Sequence, residues 1–145
     1  LADYQRLFQA DKQPHRLRQL REIALHAMRF FKQFDARLVG SVLNGTAHEH
    51  STVSLHLFTE TPHEVGLFLE QENIPFDMLE HHFRLFADAP PVSYPVYRFL
   101  AGETVIDVTI FPLKGLRQAP RSPVDGKPMQ RAALPVLEKL LEGSS

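Results

Sequence analysis

Apolar residues recur at three- and four-residue steps through residues 14–33. Leu17, Leu20, Ile23, Ala24, Ala27, Met28 and Phe31 form the stripe, with Arg16, Arg18, Arg21 and Arg29 mostly off it. This spacing predicts an amphipathic helix with Pro14 in its first turn. The period drops to two at residues 53–58, where Val53, Leu55 and Leu57 alternate with Ser54, His56 and Phe58, which predicts a strand. A shorter strand is expected over 36–39. It breaks at Gly40-Ser41 into a helical turn that Asn44-Gly45 ends. Thr61-Pro62-His63-Glu64 reads as a helix start, with Thr61 as N-cap, Pro62 as the first helical residue and Glu64 closing a capping box. That helix is expected to run to about residue 72 and to bury Val65, Leu67, Phe68 and Leu69. Residues 76–86 read as a strand, although Phe76, Leu79, Phe83 and Phe86 also fit helical spacing. Pro90, Pro91 and Pro95 predict a loop, after which 97–100 and 104–111 form a hairpin around Ala101-Gly102-Glu103. Five of the eleven prolines fall between Pro112 and Pro135, so turns are expected there, before a last helix over 136–142.

Helices thus interleave with strands and one strand pair is antiparallel. The pattern predicts an α/β (α+β) fold whose mixed β-sheet is flanked by helices. A length of 145 residues suits a single domain, with an N-terminal helix at 14–33, a core at 36–111, and a Pro-rich basic tail and C-terminal helix at 112–145. With 43% hydrophobic and 23% charged residues, the chain reads as globular rather than disordered. The absence of cysteine excludes disulfides, thiolate metal sites and a cysteine nucleophile. No run of 18 apolar residues and no signal-peptide pattern occur, so a cytoplasmic protein with no membrane partner is expected. The chain begins at Leu1 rather than methionine, which leaves room for a preceding piece. Its net charge of −1 rules out a uniformly basic nucleic-acid coat but hides three blocks. Residues 1–40 carry eight basic and four acidic residues, 41–112 carry two and ten, and 113–145 carry six and three. Two basic ends around an acidic middle can rim a site for an anion, or can equally be solvated helix faces.

The stretch most suggestive of chemistry is ARLVGSVLNGTAHEHSTVSLHLF, residues 36–58. A buried strand running into Gly40-Ser41 lets a ligand approach the backbone, where the serine hydroxyl and free amides can hold a phosphate. A tight strand-to-helix turn of purely structural origin has the same look. The segment resembles the signature of the nucleotidyltransferase superfamily, the DNA-polymerase-beta-like fold: a hydrophobic strand, Gly-Ser, a short helix, then a strand carrying Asp-x-Asp. Gly40-Ser41 matches the first part, and Gly45, Thr46 and Ser51 fit the small polar residues of the connection. The Asp-x-Asp positions fall at Thr52 and Ser54, so two of the three carboxylates that the family uses are replaced. The third has a counterpart in Asp107, within Thr104-Val105-Ile106-Asp107-Val108-Thr109-Ile110. The resemblance spans about residues 36–111, and the segment from Arg121 to Arg131 is similar to a tail in small uncharacterised members of the superfamily.

The resemblance implies metal-assisted transfer, in which magnesium stabilises attacking and leaving oxygens. Magnesium takes hard oxygen ligands, usually carboxylates, and Thr52 and Ser54 offer only uncharged hydroxyls. Its binding is therefore expected to be weak and the ordinary two-metal reaction is disfavoured. Substitute metal ligands are available in His48, Glu49, His50 and His56, which with Asp107 would suit zinc, manganese or iron better than magnesium. Asp107 shares a strand face with Val105, Thr109 and Phe111, opposite Ile106, Val108 and Ile110, and can line a cleft or simply face water. In the tail, Lys114, Arg117, Arg121, Lys127 and Arg131 can meet phosphates, with Ser122 adding a hydroxyl. No aromatic residues interleave with these bases and no nucleic-acid motif is present, so a nucleic-acid partner is unsupported. No serine sits in a nucleophile-elbow pattern.

The leading expectation is a member with a degenerate active site that binds a nucleotide or another phosphorylated small molecule. Gly40, Ser41, Thr52 and Ser54 would approach phosphate, Asp107 would be the surviving catalytic or metal-facing acid, and Ser122, Lys127 and Arg131 would close over the anion. One alternative is an active nucleotidyltransferase with substitute metal ligands. Another is a structural or interaction module with no nucleotide, working through a protein partner or a second copy of the chain.

Overall fold

A computed structural model describes residues 2–47, 50–86, 88–122 and 125–143, with side chains from His15 onward. Helix α1 (Ala2–Phe30) leads through a 3-10 turn (Lys32–Phe34) to strand β1 (Arg37–Val39), the four-residue helix α2 (Ser41–Asn44) and β2 (Val53–Phe58). Helix α3 (His63–Gln71) and strands β3 (Asp77–Phe83), β4 (Val92–Ala101) and β5 (Thr104–Phe111) follow. A second 3-10 turn (Leu113–Leu116) and helix α4 (Leu134–Gly143) complete the chain. The strands form one mixed sheet in the order β1-β2-β5-β4-β3, so the expected α/β class with a mixed sheet is the observed one. β2 runs parallel to β5, and every other neighbouring pair is antiparallel.

Alternation gives the sheet two unlike faces. Leu38, Leu55, Leu57, Val108 and Ile110 point to the helix side and pack with Leu20, Ala24 and Met28 of α1, Val65 and Leu69 of α3, and Leu137 of α4. Register then puts Val39, Ser54 and Asp107 in one row across the second face, with Arg98 beyond, and Arg37, His56, Thr109 and Val96 in the next. A smaller aromatic cluster of Phe58, Tyr94 and Phe111, with Phe83 against it, fills one end of this second face. The tail returns to the free edge of β1, where Leu38 and Ala132 exchange two backbone hydrogen bonds of 2.8 and 2.9 Å. That pairing covers an edge otherwise open to another strand.

Several boundaries differ from the sequence reading. α1 begins at Ala2, twelve residues before Pro14, because a proline removes one backbone donor without forbidding a helix on either side of it. Thr61 does not cap α3: Pro62 holds that position with no side-chain cap, and the Thr61 N–H instead donates to Thr59 Oγ1 at 3.1 Å. Leu67, expected in the core, is 52% exposed, because the α3 stripe that faces the sheet is Val65 and Leu69. Pro95 lies inside β4 rather than in a loop. It is accommodated because the ladder to β5 begins only at Val96, so the strand is a one-sided partner at Pro95. The strand expected over 76–86 is the shorter β3, which ends at Phe83. The expected hairpin is present with its first strand starting at Val92 and its turn narrowed to Gly102-Glu103, since Ala101 pairs with Thr104.

Candidate functional site

The second face of the sheet is built around the end of β1. Gly40 follows Val39 with φ +80°, a left-handed conformation that a side chain strains, and its missing Cβ would lie 3.8 Å from Ser54 Cβ. Glycine therefore brings the Gly40-Ser41 turn directly beside Ser54. α2 starts at Ser41 and is closed by Gly45 at φ +83°, whose N–H donates to the Ser41 carbonyl at 3.0 Å. Arg21 of α1 fixes this short helix from behind, donating from Nε to the Val42 carbonyl and from Nη2 to the Leu43 carbonyl, both at 2.9 Å. Burial lowers the Arg21 pKa.

Ser54 stands opposite Asp107 across the parallel β2–β5 pair and Gly40 lies beside Ser54, the adjacency that the resemblance implies. The Asp107 side chain is 6% exposed. Both of its oxygens are engaged: Arg98 Nε donates to Oδ1 at 2.7 Å and Arg98 Nη2 donates to Oδ2 at 2.9 Å. This two-pronged geometry is the strongest form of guanidinium–carboxylate contact, and the hydrogen bond to Asp107 is the chief reason the Arg98 pKa is raised. Arg98 was not foreseen from the sequence, yet the signal is there. A hairpin that pairs Ala101 with Thr104 necessarily sets Arg98 opposite Asp107.

One row along, His56 is 2% exposed and opposite Thr109. Its Nδ1 accepts a hydrogen bond from Arg131 Nε at 3.1 Å, so the neutral ring carries its proton on Nε2. Burial first, then the charges of Arg131 and His81, push the His56 pKa down to about 3. The Arg131 guanidinium lies over Phe58 at 4.9 Å and Phe111 at 5.3 Å from the ring centroids, and its Nη1 donates to the Gly115 carbonyl. Its Nη2 is buried without a hydrogen-bond partner. Burial, with a smaller contribution from Arg37, lowers the Arg131 pKa to about 10. Arg131 thus pins the tail onto the sheet. Arg131→Ala is expected to cost about 1–2 kcal/mol in urea denaturation, moderated because the unpaired donor is removed as well. Arg131→Met, which keeps contact with the two rings, should recover part of that loss, and an unchanged midpoint for Arg131→Ala would contradict the role.

The other candidate residues disperse. Thr52 is half-buried just before β2, and His50 is exposed. His48 and Glu49 lie outside the described residues. Among the described residues no group of three or more histidine, cysteine or acidic side chains is placed to hold a metal. Ser122 and Lys127 belong to a turn whose base meets the far end of β3, since the Arg121 N–H donates to the Arg84 carbonyl at 2.7 Å. Arg84 follows Phe83, which pairs with Val92 six residues from Arg98, so this turn is roughly 20 Å along the strands from the Asp107 row. Of the three tail residues expected over the anion, only Arg131 reaches the second face near Ser54. No helix among the described residues is long and apolar enough to cross a membrane. Comparison with family models, curated proteins and solved structures finds no match to this chain.

Proposed function

We propose that this chain is a nucleotidyltransferase-like domain with a degenerate active site, binding a nucleotide or another phosphorylated small molecule without two-metal catalysis. The observation that carries the reading is the Arg98–Asp107 ion pair, which occupies both oxygens of the one carboxylate left in the row. A divalent ion would have to displace a guanidinium there and would gain only the hydroxyls of Thr52 and Ser54 in its second and third positions. Arg98 instead supplies the positive charge that a metal would bring. Its side chain is 43% exposed, leaving an edge of the guanidinium for a phosphate oxygen at the row that Ser54 and Asp107 share. The order strand, Gly-Ser, short helix, strand, and the adjacency of Ser54 and Asp107, support the family assignment.

Calorimetric titration of the four ribonucleoside triphosphates, with and without magnesium or manganese, tests this. Metal-independent binding is expected. Arg98→Gln should weaken it roughly tenfold, the loss of one charge-assisted contact. Binding that requires the metal and disappears in Asp107→Ala would overturn the reading in favour of an active enzyme. No binding under any condition would leave the fold as an interaction module.

A further inference from the structure

The end of β3 carries a different constellation, independent of the Asp107 row. Beyond Phe83 the chain passes Arg84 and Phe86, and the tail closes over it with Arg121 and Ser122. Together with Pro91 these residues line a cavity of about 390 Å³, within the size range of small-molecule sites. The main chain joins the two positions, through the 2.7 Å bond from the Arg121 N–H to the Arg84 carbonyl, and both residues line the cavity. The described residues on either side of this bend are tied together: the Ser122 N–H donates to the Lys127 carbonyl at 2.7 Å, the Gly126 N–H donates to the Ser122 carbonyl at 2.9 Å, and Arg121 bridges to Pro128. Arg121 Nη1 spends one donor on the Gly126 carbonyl at 3.3 Å.

Neither guanidinium forms an ion pair with a described carboxylate. The acid in the turn, Asp125, accepts the Lys127 N–H at 3.0 Å instead. Both arginines line the cavity and bring positive charge to it, which a bound dianion would neutralise. The walls add a second requirement. The Phe83 ring is held against Phe111 and Tyr94, with centroids 5.9 and 6.3 Å away. Phe86, by contrast, is 59% exposed and offers an uncovered ring at the cavity. A flat apolar group covering Phe86 would remove that surface from water.

We propose that this cavity binds a phosphate monoester of an aromatic alcohol. The phosphate sits between Arg84 and Arg121, and the aromatic group lies against Phe86 and Pro91. The guanidinium fork matches phosphate oxygens, and two cations match the charge of a dianion. The test is titration of the full chain with phenyl phosphate, inorganic phosphate and phenol, followed by amide NMR shifts and calorimetry. Shifts centred on Arg84, Phe86, Ser122 and Gly126 are expected, with phenyl phosphate bound at least fivefold more tightly than either of the other two. Arg84→Gln should weaken phenyl phosphate about tenfold, the effect of one charge-assisted contact. Phe86→Ala should remove its advantage over inorganic phosphate. Arg98→Gln should leave this binding unchanged, which separates it from the nucleotide site. A short phosphotyrosine peptide distinguishes the two sources of such a group: tighter binding than phenyl phosphate assigns a peptide, equal binding a free ester. Shifts centred elsewhere, equal affinity for phenyl phosphate and inorganic phosphate, or indifference to Arg84→Gln would overturn the proposal; Arg84 is exposed, so that variant leaves folding intact.

Discussion

Replacing Phe31 with alanine is expected to destabilise the protein by about 3–5 kcal/mol, the range for deleting a fully buried phenyl ring. Phe31 is 0% exposed and sits where three layers of the chain meet. Its ring centroid lies 4.9 Å from Phe30, 5.9 Å from Phe99 of β4, 6.0 Å from Phe68 of α3 and 6.5 Å from Phe34. Four surrounding rings cannot collapse into the space without leaving their own packing, so most of the cavity would remain. A domain of this size has about 5–15 kcal/mol of stability in all, so the variant would lose a large share of it. Urea denaturation of Phe31→Ala against wild type gives the number directly. Leu67→Ala, at a position 52% exposed, serves as the control and should move the midpoint little. A loss below about 1 kcal/mol for Phe31→Ala would mean that the aromatic cluster does not anchor the helices to the sheet.

What the sequence disclosed follows from how local each signal is. β2 and β5 are legible because their alternation is intact over six and eight residues, and the side of each residue follows from parity alone. The grouping of Gly40, Ser54 and Asp107 rests on the resemblance and not on parity, because the parallel register that puts Ser54 opposite Asp107 joins strands about fifty residues apart. The start of α1 is not legible, because Pro14 has the look of a first-turn residue and only the chain upstream decides. Leu67 misleads because a leucine in a short helix can lie on either side of its apolar stripe. The partners of the site residues divide in the same way. Arg98 could have been found from the hairpin register, since it is nine residues from Asp107 and the turn fixes the pairing. His56 and Arg131 are 75 residues apart and meet only because the tail returns to the edge of β1 through the Leu38–Ala132 bonds. The tail's turn carries Ser122 and Lys127 to β3 instead, a distance that charge counting along the chain does not register.

That distant pair produces the second large effect, a loss of stability in mild acid traced to one ring. His56 titrates at about 3 in the folded protein and near 6.5 when exposed. Between those values the unfolded chain binds a proton that the native chain refuses, so stability rises with pH across the window. The contribution is complete above pH 6.5 and is lost as the pH falls towards 3, at up to about 1.4 kcal/mol per unit. From pH 7 to pH 4 the expected loss is on the order of 3 kcal/mol. Protonation of Nδ1 would remove the acceptor for Arg131 Nε and set two cations 3.1 Å apart between Phe58 and Phe111. The tail should therefore leave the second face before the helix side of the sheet unfolds, because its anchor is the group that fails first. His56→Gln isolates the effect: its amide oxygen can still accept from Arg131 but does not titrate. Chemical denaturation at pH 7, 5.5 and 4 should give a steeper decline for wild type than for His56→Gln, and amide exchange at Ala132 and Leu38 should quicken in wild type first. Equal slopes for the two proteins would assign the acid sensitivity to other groups and leave the His56–Arg131 contact with a packing role alone.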